Sequence, residues 1–387
     1  MKWSGGTGKG RLLRALRPRR GGRLPLALLA AACAIAVTAA VSDATAAPPG
    51  LRFAQIGHWI ASPSQDSVFH VNGPSGSVDA EVEVQGLEQG SEVVQGDTSG
   101  YVVGRSTVTE FDKSSLSVES TMNLPTGEEP VTVEAKGGPY LVFREAGNVV
   151  RLGGGDPRTI PAGRGLGVPV VTPDGSLWLQ RTDGNVICEL EFDADRVSCP
   201  GNAPPGHTGA LTVVGRQPVF VDTQNDTLNP VEEGGLGRPV KIGVDLPANA
   251  RIATSDVDGR IAVVDDSART LHLVDGAGAA APLEVPLPDG EFDAPAAGRG
   301  SVVLLDRRGN KVHTYDGKGR PQQVTDVRPE AGEPHLSRGE DRRVYVDGGE
   351  GKHVLVVGDD GRAAQVPLVA TRDQDQSRPP VPPPAEP

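Results

Sequence analysis

The residues able to do chemistry in this chain are three cysteines, seven histidines and 50 carboxylates, so their spacing is the first question. The histidines are His58, His70, His207, His272, His313, His335 and His353. No two of them form an HxH or HExxH pair, and no two cysteines stand at zinc-ligand spacing. His272, His313 and His353 recur at similar places in successive repeats, which reads as half-exposed strand residues of separate repeat units rather than one metal set. No GxSxG elbow or P-loop occurs, and Gly163-Arg164-Gly165-Leu166-Gly167 lacks the strand-to-helix context of a phosphate-cradling loop. Asp256-x-Asp258-Gly259 is a fragment of a calcium loop without its downstream glutamate, and turn chemistry accounts for it more simply. The sequence therefore names no catalytic residue, no cofactor site and no metal ligand.

One covalent link does emerge. Once a leader ending at residue 46 is removed, Cys188 and Cys199 are the only cysteines left. The segment between them reads as a hairpin turning at Asp193-Ala194, so that positions summing to 387 face each other. Glu191 then opposes Arg196, Leu190 opposes Val197, and Cys188 opposes Cys199 on the same face. Directly opposed residues have Cβ atoms about 4.5–5.5 Å apart, close to what a disulfide needs. The rival reading, two free or metal-binding thiols, lacks a histidine or acid spaced to complete a site.

The leader is an address. Eight basic residues precede the first acid, an 18-residue apolar run covers 24–41, and Ala44-Thr45-Ala46 follows. That order is a secretory signal, with cleavage between Ala46 and Ala47. As an uncleaved anchor, 18 residues would span roughly 27 Å, marginal for a hydrocarbon core. Both readings put the remainder outside the membrane, where a disulfide persists. Arg19-Arg20 adds little in so arginine-rich a stretch, and Cys33 lies inside the apolar run as a passive small residue.

Charge excludes one class of partner. The whole chain carries 38 basic and 50 acidic residues; without the leader the balance is 30 against 49, a net of −19. Such a surface repels phosphate backbones, so sequence-independent nucleic-acid binding is out. Membrane contact is confined to 24–41, if that run is retained.

Self-similarity supplies the fold class. Short β-branched or aromatic runs begin at Val68, Tyr101, Tyr140, Leu177, Val219, Ile261, Val302 and Val344, at steps of 33, 39, 37, 42, 42, 41 and 42 residues. A second run follows each, across turns such as Gly184-Asn185 and Gly309-Asn310 that favour positive φ. Weaker strands flank the pairs, as at Val131-Thr132-Val133 and Leu283-Glu284-Val285. Four short antiparallel strands in about 40 residues is the period of a propeller blade. The expectation is all-β: a single β-propeller of eight blades, alternatively seven, over 50–370, after a signal or anchor at 1–46 and before a Pro-rich tail at 371–387. Repeat 1 reads as compressed, and Pro230 interrupts the third strand of repeat 5.

Asp306-Arg307-Arg308-Gly309-Asn310-Lys311-Val312-His313-Thr314-Tyr315-Asp316 resembles the blade hairpin of NHL- and YVTN-type propellers. Together with the leader and Gln65-Asp66-Ser67-Val68-Phe69-His70-Val71-Asn72, the chain resembles the propeller region of large secreted actinobacterial proteins that carry fibronectin type III or Ig-like modules downstream. The resemblance implies an extracellular binding or scaffolding module with a protein or glycan ligand, and no catalytic residue carries over. The alternative class is a propeller lyase, lactonase or glycan-acting hydrolase. That would need His, Glu or Asp converging from several innermost strands, and Val131-Thr132-Val133, Val170-Val171-Thr172, Leu211-Thr212-Val213 and Ile252-Ala253-Thr254 offer apolar and hydroxyl side chains instead.

Overall fold

Short Val-, Ile- and Leu-rich runs punctuated by Asp and Gly turns fold into eight antiparallel sheets in the computed structural model, which describes residues 57–369 apart from 126 and 154. The cleavage residues Ala44, Ala46 and Ala47, the apolar run 24–41 and the tail 371–387 lie outside the described residues. Six sheets have four strands in consecutive order; the first has three and the fifth has five. Blade 7 shows the rule: Ala296–Ala297 innermost, then Ser301–Asp306, Lys311–Asp316 and Pro321–Asp326. Its second strand is buried throughout, because both faces meet neighbouring blades, whereas the outermost alternates with solvent. Among the described residues the one helical element is a single 3-10 turn, Pro63–Gln65.

Ring closure is visible in the core. Among the described residues there are eight apolar clusters, and each draws on two successive blades. Trp59 and Val82 of blade 1 pack with Val102 and Phe111 of blade 2. Ile60, Phe69 and Val71 of blade 1 pack equally against Tyr345, Val354 and Val356 of blade 8. A row of independent sandwiches would leave no such seam; the eighth blade abuts the first, and the count is eight rather than seven.

The turns explain much of the acidity. Asp112, Asp222 and Asp265 each accept two backbone N–H groups from the residues two and three positions on. Those bonds, led by the Ser114 hydroxyl, pull the Asp112 carboxyl down to about 2. Asp256 accepts the amides of Gly259 at 2.7 Å and of Gly215 at 2.7 Å, so its carboxylate serves a turn and a neighbouring blade.

Two sequence expectations need correction. The Val68 run does not match the Tyr101 run: it is the third strand of its blade, and Gly57–Ser62 is the second. In blades 2, 6, 7 and 8 the residue after the outermost strand donates to the turn between strands two and three, as Leu124 to Ser106, Leu287 to Arg269, Val327 to Asn310 and Leu368 to Lys352. In blade 1 the same bond runs from Val84 to Asp66, which fixes the turn at 63–66 as the second turn. The second strands of blades 1 and 2 then begin at 57 and 99, and 99 − 57 = 42, so the repeat is not compressed. What blade 1 lacks, among the described residues, is an innermost strand. Pro230 is likewise accommodated inside the strand Thr227–Glu232. Having no N–H to donate, it divides the outer position between Gly235–Leu236 and Val240–Lys241, which pair on either side of it.

Candidate axial site

The innermost strands of blades 2 and 8, Glu92–Gln95 and His335–Arg338, carry polar side chains at their ends. Contacts between non-adjacent blades identify what faces the axis, since only the central channel lies between such blades. Three are present. His58 Nδ1 of blade 1 lies 3.6 Å from Glu134 Oε1 of blade 3. Arg338 Nη1 of blade 8 donates to Ser255 Oγ of blade 6 at 2.7 Å. His335 Nε2 of blade 8 meets Glu92 Oε1 of blade 2 at 3.1 Å.

The first two belong to the end where the innermost strands finish. Glu134 directly follows Val131–Val133, Arg338 ends His335–Arg338, and Gln95 ends Glu92–Gln95. The Gln95 side chain joins them, with Nε2 at 3.3 Å from His58 Nδ1 and 3.4 Å from Glu134 Oε1. The Gln95 backbone N–H also donates to that carboxylate at 3.2 Å. Lys113 is buried beside them, its Nζ donating to Gly96 O at 2.5 Å.

Burial sets the electrostatics. Desolvation, then the charge of Glu340, pushes the Glu134 carboxyl up to about 8, against the hydrogen bonds from Gln95 that favour its charged form. Desolvation raises Glu340 to about 7, opposed by the Lys113 charge; water reaches Glu340, so screening is stronger there than at Glu134. His58 falls to about 3, first through burial and then through the charges of His70 and His335. Lys113 and Arg338 are lowered, chiefly by desolvation. Near neutral pH this end of the channel therefore presents protonated carboxyl, amide, hydroxyl and guanidinium groups.

At the opposite mouth Glu92 also accepts the Thr132 hydroxyl at 2.8 Å, and burial raises Asp347 to about 6. Among the described residues no three His, Cys, Asp or Glu converge in a metal-holding arrangement.

Sequence reasoning missed the axial residues. Glu134 stands one position past Val131-Thr132-Val133, and His58 belongs to the strand the repeat count overlooked. His272 and His313, read as half-exposed, are 4% and 7% exposed instead, on the third strands of blades 6 and 7. Burial lowers both, and neither His272 nitrogen has a hydrogen-bond partner. His353 is partly exposed and faces Glu330 at 3.1 Å.

Cys188 and Cys199 form the expected disulfide, with Cα atoms 3.9 Å apart. Glu189 faces Ser198 in the expected register, while Ile187 faces Gly201 and Val186 faces Asn202 one residue out of it, so a bulge sets Cys199 and Pro200 together opposite Cys188. The turn spans Glu191 to Ala194, closed by Ala194 N–H to Glu191 O at 3.0 Å, with Asp193 at φ 66°. A side chain tolerant of positive φ there places the turn one residue earlier than Asp193-Ala194.

No family model matches the chain, and no curated protein matches it. Solved structures do. A streptogramin B lyase structure is 17% identical, with 66% of this chain and 89% of that chain covered at a TM-score of 0.50. BamB from Moraxella catarrhalis is 14% identical over 79% of this chain and 96% of that one, TM-score 0.52. The dihydro-heme d1 dehydrogenase NirN in complex with DHE is 14% identical over 83% and 76%, TM-score 0.53. Identities this low show the fold alone. The class is the β-propeller, here with eight blades.

Proposed function

We propose that the chain, after loss or membrane retention of residues 1–46, is an extracellular non-catalytic β-propeller that binds a protein or glycan ligand at the channel end formed by Gln95, Glu134 and Arg338. The observation that carries this reading is the cross-axis set itself: three blades contribute an uncharged carboxyl, an amide and a guanidinium cation to one opening. Uncharged carboxyl, amide and hydroxyl groups beside a guanidinium cation match sugar hydroxyls and peptide amides, and preorganised groups of this kind favour binding. The resemblance to NHL- and YVTN-type modules of secreted actinobacterial proteins supports the same role, with 50–370 as the propeller and 371–387 as an extended linker. The order of cationic, apolar and Ala-x-Ala segments supports export. The test is an array of glycans, peptidoglycan fragments and surface proteins probed with the secreted protein. Hits retained by wild type and lost in Arg338→Ala support the reading; an array with no hit, or hits indifferent to that substitution, counts against it.

A second reading has its own observation. Glu134, held near 8 with His58 Nδ1 3.6 Å away and the charge of Glu340 acting on it, is a perturbed carboxyl of the kind hydrolases and lyases use as an acid. The printed name of one structural neighbour, a streptogramin B lyase, belongs to that class. Turnover of any array hit, abolished in Glu134→Gln while binding persists, would favour the enzyme over the binding module.

A further inference from the structure

A cavity of about 390 Å³ opens away from the axis, between blades 3 and 4, in the size range of small-ligand sites. Its walls include Lys136, Tyr140, Arg151, Arg158, Phe192 and Asp193. Tyr140 and Arg151 come from the central strands of blade 3, Arg158 opens its outer strand, and Phe192 and Asp193 belong to the crosslinked hairpin of blade 4. Three cations, Lys136, Arg151 and Arg158, thus line one pocket together with two carboxylates, Asp156 and Asp193.

The hairpin folds over this floor. A Cβ on Gly137, at φ +82°, would stand 2.3 Å from a Phe192 ring carbon, so the ring rests directly on backbone. Phe192 is nonetheless 49% exposed, leaving the rest of its surface uncovered. The arginines show what they accept. Arg158 Nη1 lies 2.6 Å from Asp195 Oδ1, and Arg151 Nη2 is 3.5 Å from Asp193 and 3.8 Å from Asp195. Both carboxylates are exposed, at 83% and 70%, so water already competes for them and an outside carboxylate can too. Arg151, by contrast, is 11% exposed and anchored on Ala194 O at 3.2 Å.

We propose that this cavity is a second binding site, for a small aromatic carboxylate whose carboxylate exchanges with Asp195 on Arg158 and whose ring lies against Phe192. A guanidinium fork suits a planar carboxylate, and an edge or face contact with Phe192 adds a directional apolar term. The Cys188–Cys199 bridge keeps the hairpin closed over the floor, so that wall is preorganised.

The test is calorimetric titration of the secreted protein with benzoate, acetate, phenyl phosphate and inorganic phosphate. Benzoate should bind saturably and more tightly than acetate. Phe192→Ala should weaken benzoate about fivefold and Arg158→Ala about tenfold. Both replace exposed side chains, and unchanged melting curves would show that the fold is intact. Glu134→Gln, in the axial channel, should leave benzoate binding unchanged, which separates this site from the proposed axial one. Absence of saturable benzoate binding would overturn the proposal. So would affinity indifferent to both pocket substitutions, or tighter binding of either phosphate than of benzoate.

Discussion

His335 Nε2 stands 3.1 Å from Glu92 Oε1, and the pair joins the innermost strand of blade 8 to that of blade 2 across the inner edge of blade 1. It bridges the position at which blade 1 shows no innermost strand among the described residues. The side chains are 46% and 30% exposed, so solvent screens the interaction. A double-mutant cycle of His335→Ala and Glu92→Gln at pH 6 should give a coupling of about 0.2–1 kcal/mol that fades with salt. Strict additivity at low salt would show that the two strands do not meet.

Closure of the ring at the other side of that blade is testable at Gly351. Its φ is +61°, and a Cβ there would lie 2.1 Å from the Ala61 carbonyl oxygen, across the seam of blades 8 and 1. Gly206 has φ +76° with nothing within 4 Å, so it isolates the backbone term. Gly206→Ala should cost about 1 kcal/mol, and Gly351→Ala distinctly more, since a backbone atom must move. Equal losses in chemical denaturation would mean that the seam is not packed as described.

Stability should fall on acidification through the buried histidines. His58, His272 and His313 have folded pKa values below the unfolded 6.5, so the unfolded state binds protons first as pH drops. The stability they contribute is present above about 6.5 and is lost as pH falls from there toward their folded values, which for His58 is about 3. Glu134 works in the opposite direction. Its folded value of about 8 lies above 4.5, so its contribution is complete below 4.5 and is lost as pH rises through 8. Denaturation midpoints from pH 5 to 9 should show His272→Leu flattening the acid limb and Glu134→Gln flattening the alkaline limb. Limbs unchanged in both variants would contradict these assignments.

Thiol labelling of the mature, unreduced protein under denaturing conditions should find neither Cys188 nor Cys199 reactive. Removing the bridge should cost about 2–3 kcal/mol, because the closed loop is short. Two reactive thiols would refute the crosslink.

How far the residues alone reach can be seen by comparing Cys188 with Glu134. The crosslink was legible because alternation in Ile187-Cys188-Glu189-Leu190 limits which residues can oppose Cys199, and a bulge moved the register without moving the sulfurs apart. The blade period was legible because second and third strands are buried on both faces and read as continuous apolar runs. Blade 1 misled because His58 and Trp59 break that apolar signature, so the next run was taken for the second strand. The axial cluster was not legible at all from spacing. Its members come from blades 1, 2, 3, 6 and 8, and only ring closure brings His58, Gln95, Glu134, Ser255 and Arg338 together.

Hydrogen exchange of the secreted protein, with and without a ligand drawn from the array, tests the axial binding site most directly. Added protection is expected at backbone amides 95–97, 134–135 and 338–340, where the innermost strands end. Protection confined to the outer strands, with those amides exchanging as in the free protein, would contradict it.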